Sequence, residues 1–136
     1  MEFRRQTLDN GLEVIAELSP KAYSTAIGFF VNTGSRDETD EISGVSHFLE
    51  HMLFMGSTKY PNEGEYMRYM AANGGSTNAY TSDYLTNYHF DCSNSAFEEG
   101  LDRFAQFFIS PLFKEECVGR EVNAVNSEFQ MNLNKD

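Results

Sequence analysis

Cysteine is scarce in this chain of 136 residues: Cys92 and Cys117 stand apart and outside any Cys-x-x-Cys pair, so no disulfide framework is available and a reducing compartment is the default. Positive charge is also short. Ten Lys and Arg face 21 Asp and Glu, a formal net charge of −11, which argues against nucleic acid and anionic membrane surfaces as partners. No apolar run approaches the roughly 18 residues of a membrane span. Met1-Glu2-Phe3-Arg4-Arg5-Gln6 leads into polar sequence and contains no apolar signal core, so a cytoplasmic location is expected. A Gly-rich phosphate loop is missing, as are strict βαβ alternation and any repeat with a period of roughly 20 to 50 residues. What is present is 40% apolar residues, with 12 Phe and 7 Tyr, enough buriable surface for one globular domain.

Asn10-Gly11 between short alternating runs predicts an opening hairpin, and Ser24 to Asn32 a third, central strand. Ser43 is the expected N-cap of a helix over 44–55, closed by Gly56. Asn62-x-x-Glu65 reads as a variant capping box opening a second helix to about Asn73, ended by Gly74-Gly75. Ser76 to Ser82 and Leu85 to Cys92 form a second hairpin pattern. Ser95-x-x-Glu98 reads as another capping box, ahead of a helix whose core face is Phe97, Leu101, Phe104 and Phe108; Pro111 breaks it. From about Lys114 a last helix carries an apolar stripe of Val118, Val122, Val125, Phe129 and Leu133. The layout predicts an α+β fold, a mostly antiparallel sheet with helices packed on one face. The final helix has no Gly or Pro terminator, so the chain is expected to continue beyond Asp136.

The chemistry gathers in His47-Phe48-Leu49-Glu50-His51. At about 100° per residue, two histidines four positions apart share one helical face, as two ligands of one zinc ion must. Glu50 stands beside them, placed to take a proton from a water that the metal activates and return it to a leaving amine. His, Glu and His in this order form the inverted zinc-protease motif. A catalytic zinc needs a third protein ligand and an open fourth position. The last helix offers Glu121 and Glu128, two turns apart on one side with the small Ala124 between them. Helical geometry alone does not choose between them, and most Glu residues on such helices are simply exposed.

The His47 to His51 run, the following Met52-Leu53-Phe54-Met55-Gly56-Ser57-Thr58-Lys59-Tyr60-Pro61, and Asn78-Ala79-Tyr80-Thr81-Ser82 resemble the pitrilysin/insulin-degrading family of zinc peptidases. Leu101-Asp102-Arg103-Phe104-Ala105-Gln106-Phe107-Phe108 and Arg120-Glu121-Val122-Asn123-Ala124-Val125, taken with Ser127-Glu128, resemble it too, closest to the insulysin branch. The resemblance implies a partial insulinase-type peptidase domain, residues 1–136 being its N-terminal portion within a much longer multidomain chain. It implies one zinc ion per chain, with His47, His51 and Glu128 as ligands, Glu50 as general base and Glu121 as the supporting acid. It further implies that Asn78, Ala79 and Tyr80 lie on an edge strand that holds an extended peptide by main-chain hydrogen bonds. The expected partners are peptide substrates and the remaining domains of the full-length enzyme, and the isolated fragment is expected to be weakly active or inactive.

Two other classes compete with the endopeptidase reading. A non-catalytic structural or peptide-binding member of the same fold typically lacks part of the zinc motif, whereas all four positions are filled here. An interaction domain with structural zinc would close the fourth coordination position with a protein ligand. A shorter processing-peptidase relative is a further option within the enzyme class, against which the Leu101 to Phe108 segment speaks. His89 has no second His or acid at ligand spacing on its strand face and reads as structural. Neither Cys92, at a strand end, nor Cys117, after Glu115 and Glu116, reads as a nucleophile.

Overall fold

The computed structural model describes residues 1–135. Its elements follow the predicted order of three strands, two helices, two strands and two helices: β1 (Glu2–Thr7), β2 (Glu13–Leu18), β3 (Ser24–Val31), α1 (Val45–Leu53), α2 (Glu65–Ala72), β4 (Ser76–Thr81), β5 (Thr86–Ser93), α3 (Phe97–Ile109) and α4 (Glu115–Leu133). Every strand pair is antiparallel. The β1–β2 hairpin turns at Asn10-Gly11, where Gly11 takes φ +86° and Asn10 Oδ1 accepts from Leu12 N–H at 3.0 Å. It forms a two-stranded sheet of its own, and Phe3 and Ile15 on it are exposed.

The second sheet has the order β3-β5-β4. The expected central strand, β3, is therefore an edge, and β5 is central. The strict burial alternation of β3 marks a strand with one open face, whereas β5 buries Thr86, Asn87, Tyr88, Phe90 and Cys92. Apolar content alone does not separate these two cases. The core is largely aromatic: Phe90, Phe104, Phe107, Tyr66 and Tyr88 pack with Leu53, Met70 and Cys92. Phe107 contacts Phe54 and Tyr66 edge-on at centroid distances of 4.9 and 4.8 Å. Of the predicted α3 face, Phe104 is fully buried while Phe97, Leu101 and Phe108 pack around it, and Phe107 joins them.

The helix starts differ from the sequence expectations. Residues 62–65 form no capping box; Glu65 instead binds Arg103 Nε at 2.8 Å, and the Arg103 guanidinium lies over the rings of Tyr60 and Tyr69. Ser95 caps nothing either, because a 3-10 turn over Asn94–Ala96 moves the N-cap of α3 to Ala96. At α1 the N-cap is Gly44, with φ +88°, and not Ser43. Its free N–H groups are met from outside: Glu38 Oε2 accepts from Gly44 N–H at 2.6 Å and Oε1 from Ser46 N–H at 2.7 Å. The loop that carries Glu38 is fastened to the β4–β5 turn, Ser35 N–H to Ser82 O at 3.0 Å and Arg36 N–H to Asp83 O at 2.9 Å. A Cβ on Gly34 would lie 2.2 Å from Ser82 O, so this seam admits only glycine there. The two glycines after α2 divide their labour. Gly74 takes φ +65° and ends the helix, while Gly75 lies where a Cβ would meet Asp91 O at 2.2 Å.

The α4 stripe also departs from expectation. Val118, Val122, Phe129 and Leu133 are exposed, and the residues α4 buries are Cys117 and Glu121. The helix brings its acids Glu121 and Glu128 to the histidines of α1. Among the described residues no helix is long and apolar enough to cross a membrane.

Glu38 gives the first prediction. Desolvation pushes its carboxyl up, but the N–H groups of Ser46 and Gly44 outweigh that and hold it below the usual carboxylate range. A depressed folded pKa contributes stability that is present above the unfolded value of about 4.3 and lost as pH falls through the folded one. Glu38→Ala is expected to lower stability by about 1 kcal/mol at neutral pH, with the gap narrowing in acid, as urea unfolding of both proteins at the two pH values would read.

Candidate metal centre

Helix α1 sets His47, Glu50 and His51 on one side by its 3.6-residue turn. The imidazole rings meet edge to face with centroids 4.9 Å apart. Helix α4 packs against this side and delivers Glu121 and Glu128. Glu128 faces both rings: Oε2 lies 2.9 Å from His47 Nε2 and Oε1 lies 3.3 Å from His51 Nε2. Glu121 approaches from behind, with Oε2 3.0 Å from His51 Nδ1. Its side chain is 9% exposed against 44% for Glu128, so one acid is sealed inside the helix contact and the other borders an open cleft.

Two trios of donors are thus available. His47, Glu50 and His51 offer ligand atoms within 4.8 Å of one another. Glu128 makes a second trio with the two histidines, and its distances of 2.9 and 3.3 Å to their Nε2 atoms approach the roughly 3.3 Å edge of a tetrahedron with metal–ligand bonds of about 2.0 to 2.1 Å. Two imidazole nitrogens and one carboxylate are the donor chemistry of a catalytic zinc site, and a carboxylate on the remote nitrogen of a ligand histidine is its usual support. The residues present fit a zinc ion. Glu50, itself buried, is held by a different element: Thr81 Oγ1 at the end of β4 donates to its Oε2 at 2.7 Å.

Asn78, Ala79 and Tyr80 lie on β4, a sheet edge beside α1. The N–H of Ala79 donates to Asn78 Oδ1 at 2.9 Å, a local cover of the kind that protects edge strands. A cavity of about 330 Å³ runs between this strand and the donors, lined by Glu50, His51, Phe54, Met55, Met67, Asn78, Ala79 and Glu128. A larger one of about 520 Å³ touches the site only at His47 and lies between the start of α1 and the apolar side of α4. His89 lies on β5 directly opposite Asn78, its Nδ1 2.7 Å from Asn87 Oδ1. Cys92 and Cys117 are buried free thiols, and burial followed by the charge of Asp91 pushes Cys92 up.

Sequence reasoning missed Thr81, Glu38 and the pair Arg120 and Glu63, whose Nη2 and Oε2 are 2.9 Å apart beside the site. Only Arg120, adjacent to Glu121, carried a local signal. Glu38 and Glu63 sit in loops, where no periodicity indicates what a side chain reaches.

Fold and donor set together define a class: an antiparallel α+β domain in which one helix presents His-x-x-Glu-His to the acids of another. Comparison with known proteins narrows it. The family described as Insulinase (Peptidase family M16) matches residues 13–136. Insulin-degrading enzyme-like 2 of Arabidopsis thaliana is 50% identical over 135 residues, 99% of this chain and 14% of the relative. Human insulin-degrading enzyme is 47% identical over 99% of this chain and 13% of its own length. A Schizosaccharomyces pombe protein described as a zinc protease, mug138, is 47% identical over 99% of this chain and 14% of its own. The crystal structure of pitrilysin superposes with a TM-score of 0.90 at 35% identity, covering 96% of this chain and 14% of that one. The chain belongs to the insulinase family of zinc peptidases, peptidase family M16. It spans 13 to 14% of the length of these relatives.

The Glu50–Thr81 bond can be tested without metal. Thr81→Val keeps the side-chain shape and leaves a buried carboxylate oxygen without its donor. It is expected to lower stability by about 1 to 3 kcal/mol in urea unfolding at neutral pH.

Proposed function

We propose that this chain carries the zinc site of an insulysin-like endopeptidase that hydrolyses short to medium peptides. The observation that supports it is the position of Glu128, whose two oxygens face the Nε2 atoms of His47 and His51 from a separate helix. In this reading His47, His51 and Glu128 are the ligands. Zinc bound there would polarise the scissile carbonyl and acidify a water. Glu50 takes the proton of the attacking water and passes it to the leaving amine; the Thr81 hydroxyl holds the carboxylate in place for both transfers. Glu121 accepts from His51 Nδ1–H, which fixes the tautomer that leaves Nε2 free for the metal.

Asn78, Ala79 and Tyr80 receive the substrate. An extended peptide added to β4 exchanges main-chain hydrogen bonds with the free edge, which sets its register without selecting side chains. The Asn78 side chain turns away from Ala79 N–H as the peptide binds. The cavity beside Glu50 takes one substrate side chain, and its Phe54, Met55, Met67 and Ala79 walls favour an apolar one. The rest of a longer enzyme encloses the peptide, so the 136 residues alone are weakly active or inactive.

Elemental mass spectrometry of the chain purified without chelator is expected to find about one zinc per chain, strongly reduced by Glu128→Gln. In a protein that includes the remaining domains, Glu50→Gln is expected to abolish peptide hydrolysis and leave zinc content unchanged. Zinc content indifferent to Glu128→Gln, or hydrolysis surviving Glu50→Gln, overturns the assignment.

A further inference from the structure

Glu121 is buried, and one of its oxygens is taken by His51. A buried carboxylate oxygen without a partner carries a desolvation cost, and the second oxygen of Glu121 has a partner. That partner is Arg120, whose Nε donates to Glu121 Oε1 at 3.2 Å. Adjacent residues on a helix do not face each other, so this contact requires the arginine to fold back over its own neighbour. It is held in that pose from outside the helix. Nη2 donates to Glu63 Oε2 at 2.9 Å and lies 3.3 Å from Met55 Sδ, just beyond α1.

Glu63 is itself secured. The Cys117 thiol, one turn before Arg120, donates to the same Oε2 at 3.6 Å, and Lys114 Nζ donates to Pro61 O two residues away. The segment leading into α2 is thereby tied to the first turn of α4 at the place where Arg120 needs an anchor. A planar guanidinium can address two carboxylates in fixed directions at once, which a lysine ammonium cannot do.

We propose that Arg120, anchored on Glu63, is a positioning residue of the metal centre: it fixes the Glu121 carboxylate and, through it, the His51 ring. The proposal rests on the reading of His51 as a metal ligand. Arg120 touches neither metal nor substrate, and its effect passes through Glu121 alone. A carboxylate free to rotate would let the imidazole tilt and would lower the affinity of the ligand set.

The test is zinc affinity, measured by competition with a chromophoric chelator at one pH, for the wild-type chain, Arg120→Met, Glu121→Gln and the double variant. Arg120 is half exposed, so its replacement leaves the core untouched. Direct supports of ligand histidines are worth about 10- to 100-fold in metal affinity, and Arg120→Met, one step further out, is expected to cost about 3- to 10-fold. In the Glu121→Gln background the same substitution is expected to change affinity by less than about 2-fold, because the two residues act in series. Glu63→Gln, measured in the same two backgrounds, is expected to repeat this pattern from the anchor side.

Wild-type affinity in Arg120→Met overturns the proposal and leaves the ligand assignment standing. Equal losses in both backgrounds overturn it as well, since they would mark a general effect on the fold or the field. A wild-type chain that binds no zinc, or binds it indifferently to Glu128→Gln, overturns the ligand assignment and the proposal together.

Discussion

Helix α1 is held to α4 by polar side chains, and the rest of the structure is arranged around that contact. Most helix pairs meet along an apolar seam. Here Val118, Val122 and Phe129 of α4 are exposed, while Glu121 is buried and Glu128 stands between two imidazoles. Such an interface carries a desolvation cost that pairing must offset. Partners are accordingly supplied: His51 and Arg120 for Glu121, His47 and His51 for Glu128, and Thr81 for one oxygen of Glu50. Two carboxylates converging on two imidazoles concentrate negative charge where a divalent cation would relieve it.

The aromatic core does a different job. Phe90, Phe104, Phe107 and Tyr66 bring the sheet, α2 and α3 together, and α1 joins this body through Leu53. Apolar burial thus fixes one side of α1 and polar pairing the other. The opening hairpin takes no part in either contact and keeps its apolar side chains in solvent.

The element order and the metal motif were legible because both rest on local periodicity. His47, Glu50 and His51 share a helix face whatever the fold does elsewhere, and the Asn-Gly turn permits one kind of hairpin. Strand order was not legible. Whether β3 or β5 is central depends on which pairs with β4, a long-range choice that apolar content does not encode. The caps failed for a related reason. Ser43, Asn62 and Ser95 all sit one or two residues from where the backbone turns into helix, and at α1 a carboxylate six residues upstream takes the position that Ser43 was expected to fill. The separate surroundings of Glu121 and Glu128 lay beyond helical geometry too, since two acids two turns apart look alike until the opposing helix is in place.

The loop between β3 and α1 is sewn to the β4–β5 turn along Gly34, Ser35 and Arg36, and two residues on, Glu38 ends on the first turn of α1. One short tether therefore spans from the end of the edge strand to the beginning of the histidine-bearing helix. The phase between them, how far along the strand a given backbone N–H stands from a given imidazole, is held by that tether together with the Thr81–Glu50 hydrogen bond. A residue gained or lost in the β4–β5 turn would be transmitted through the loop and arrive as a rotation of α1. The Asn10-Gly11 tip, whose hydrogen bonds among the described residues stay within its own hairpin, can change length without such consequence. The chain thus has one turn that behaves as ornament and another that behaves as a ruler.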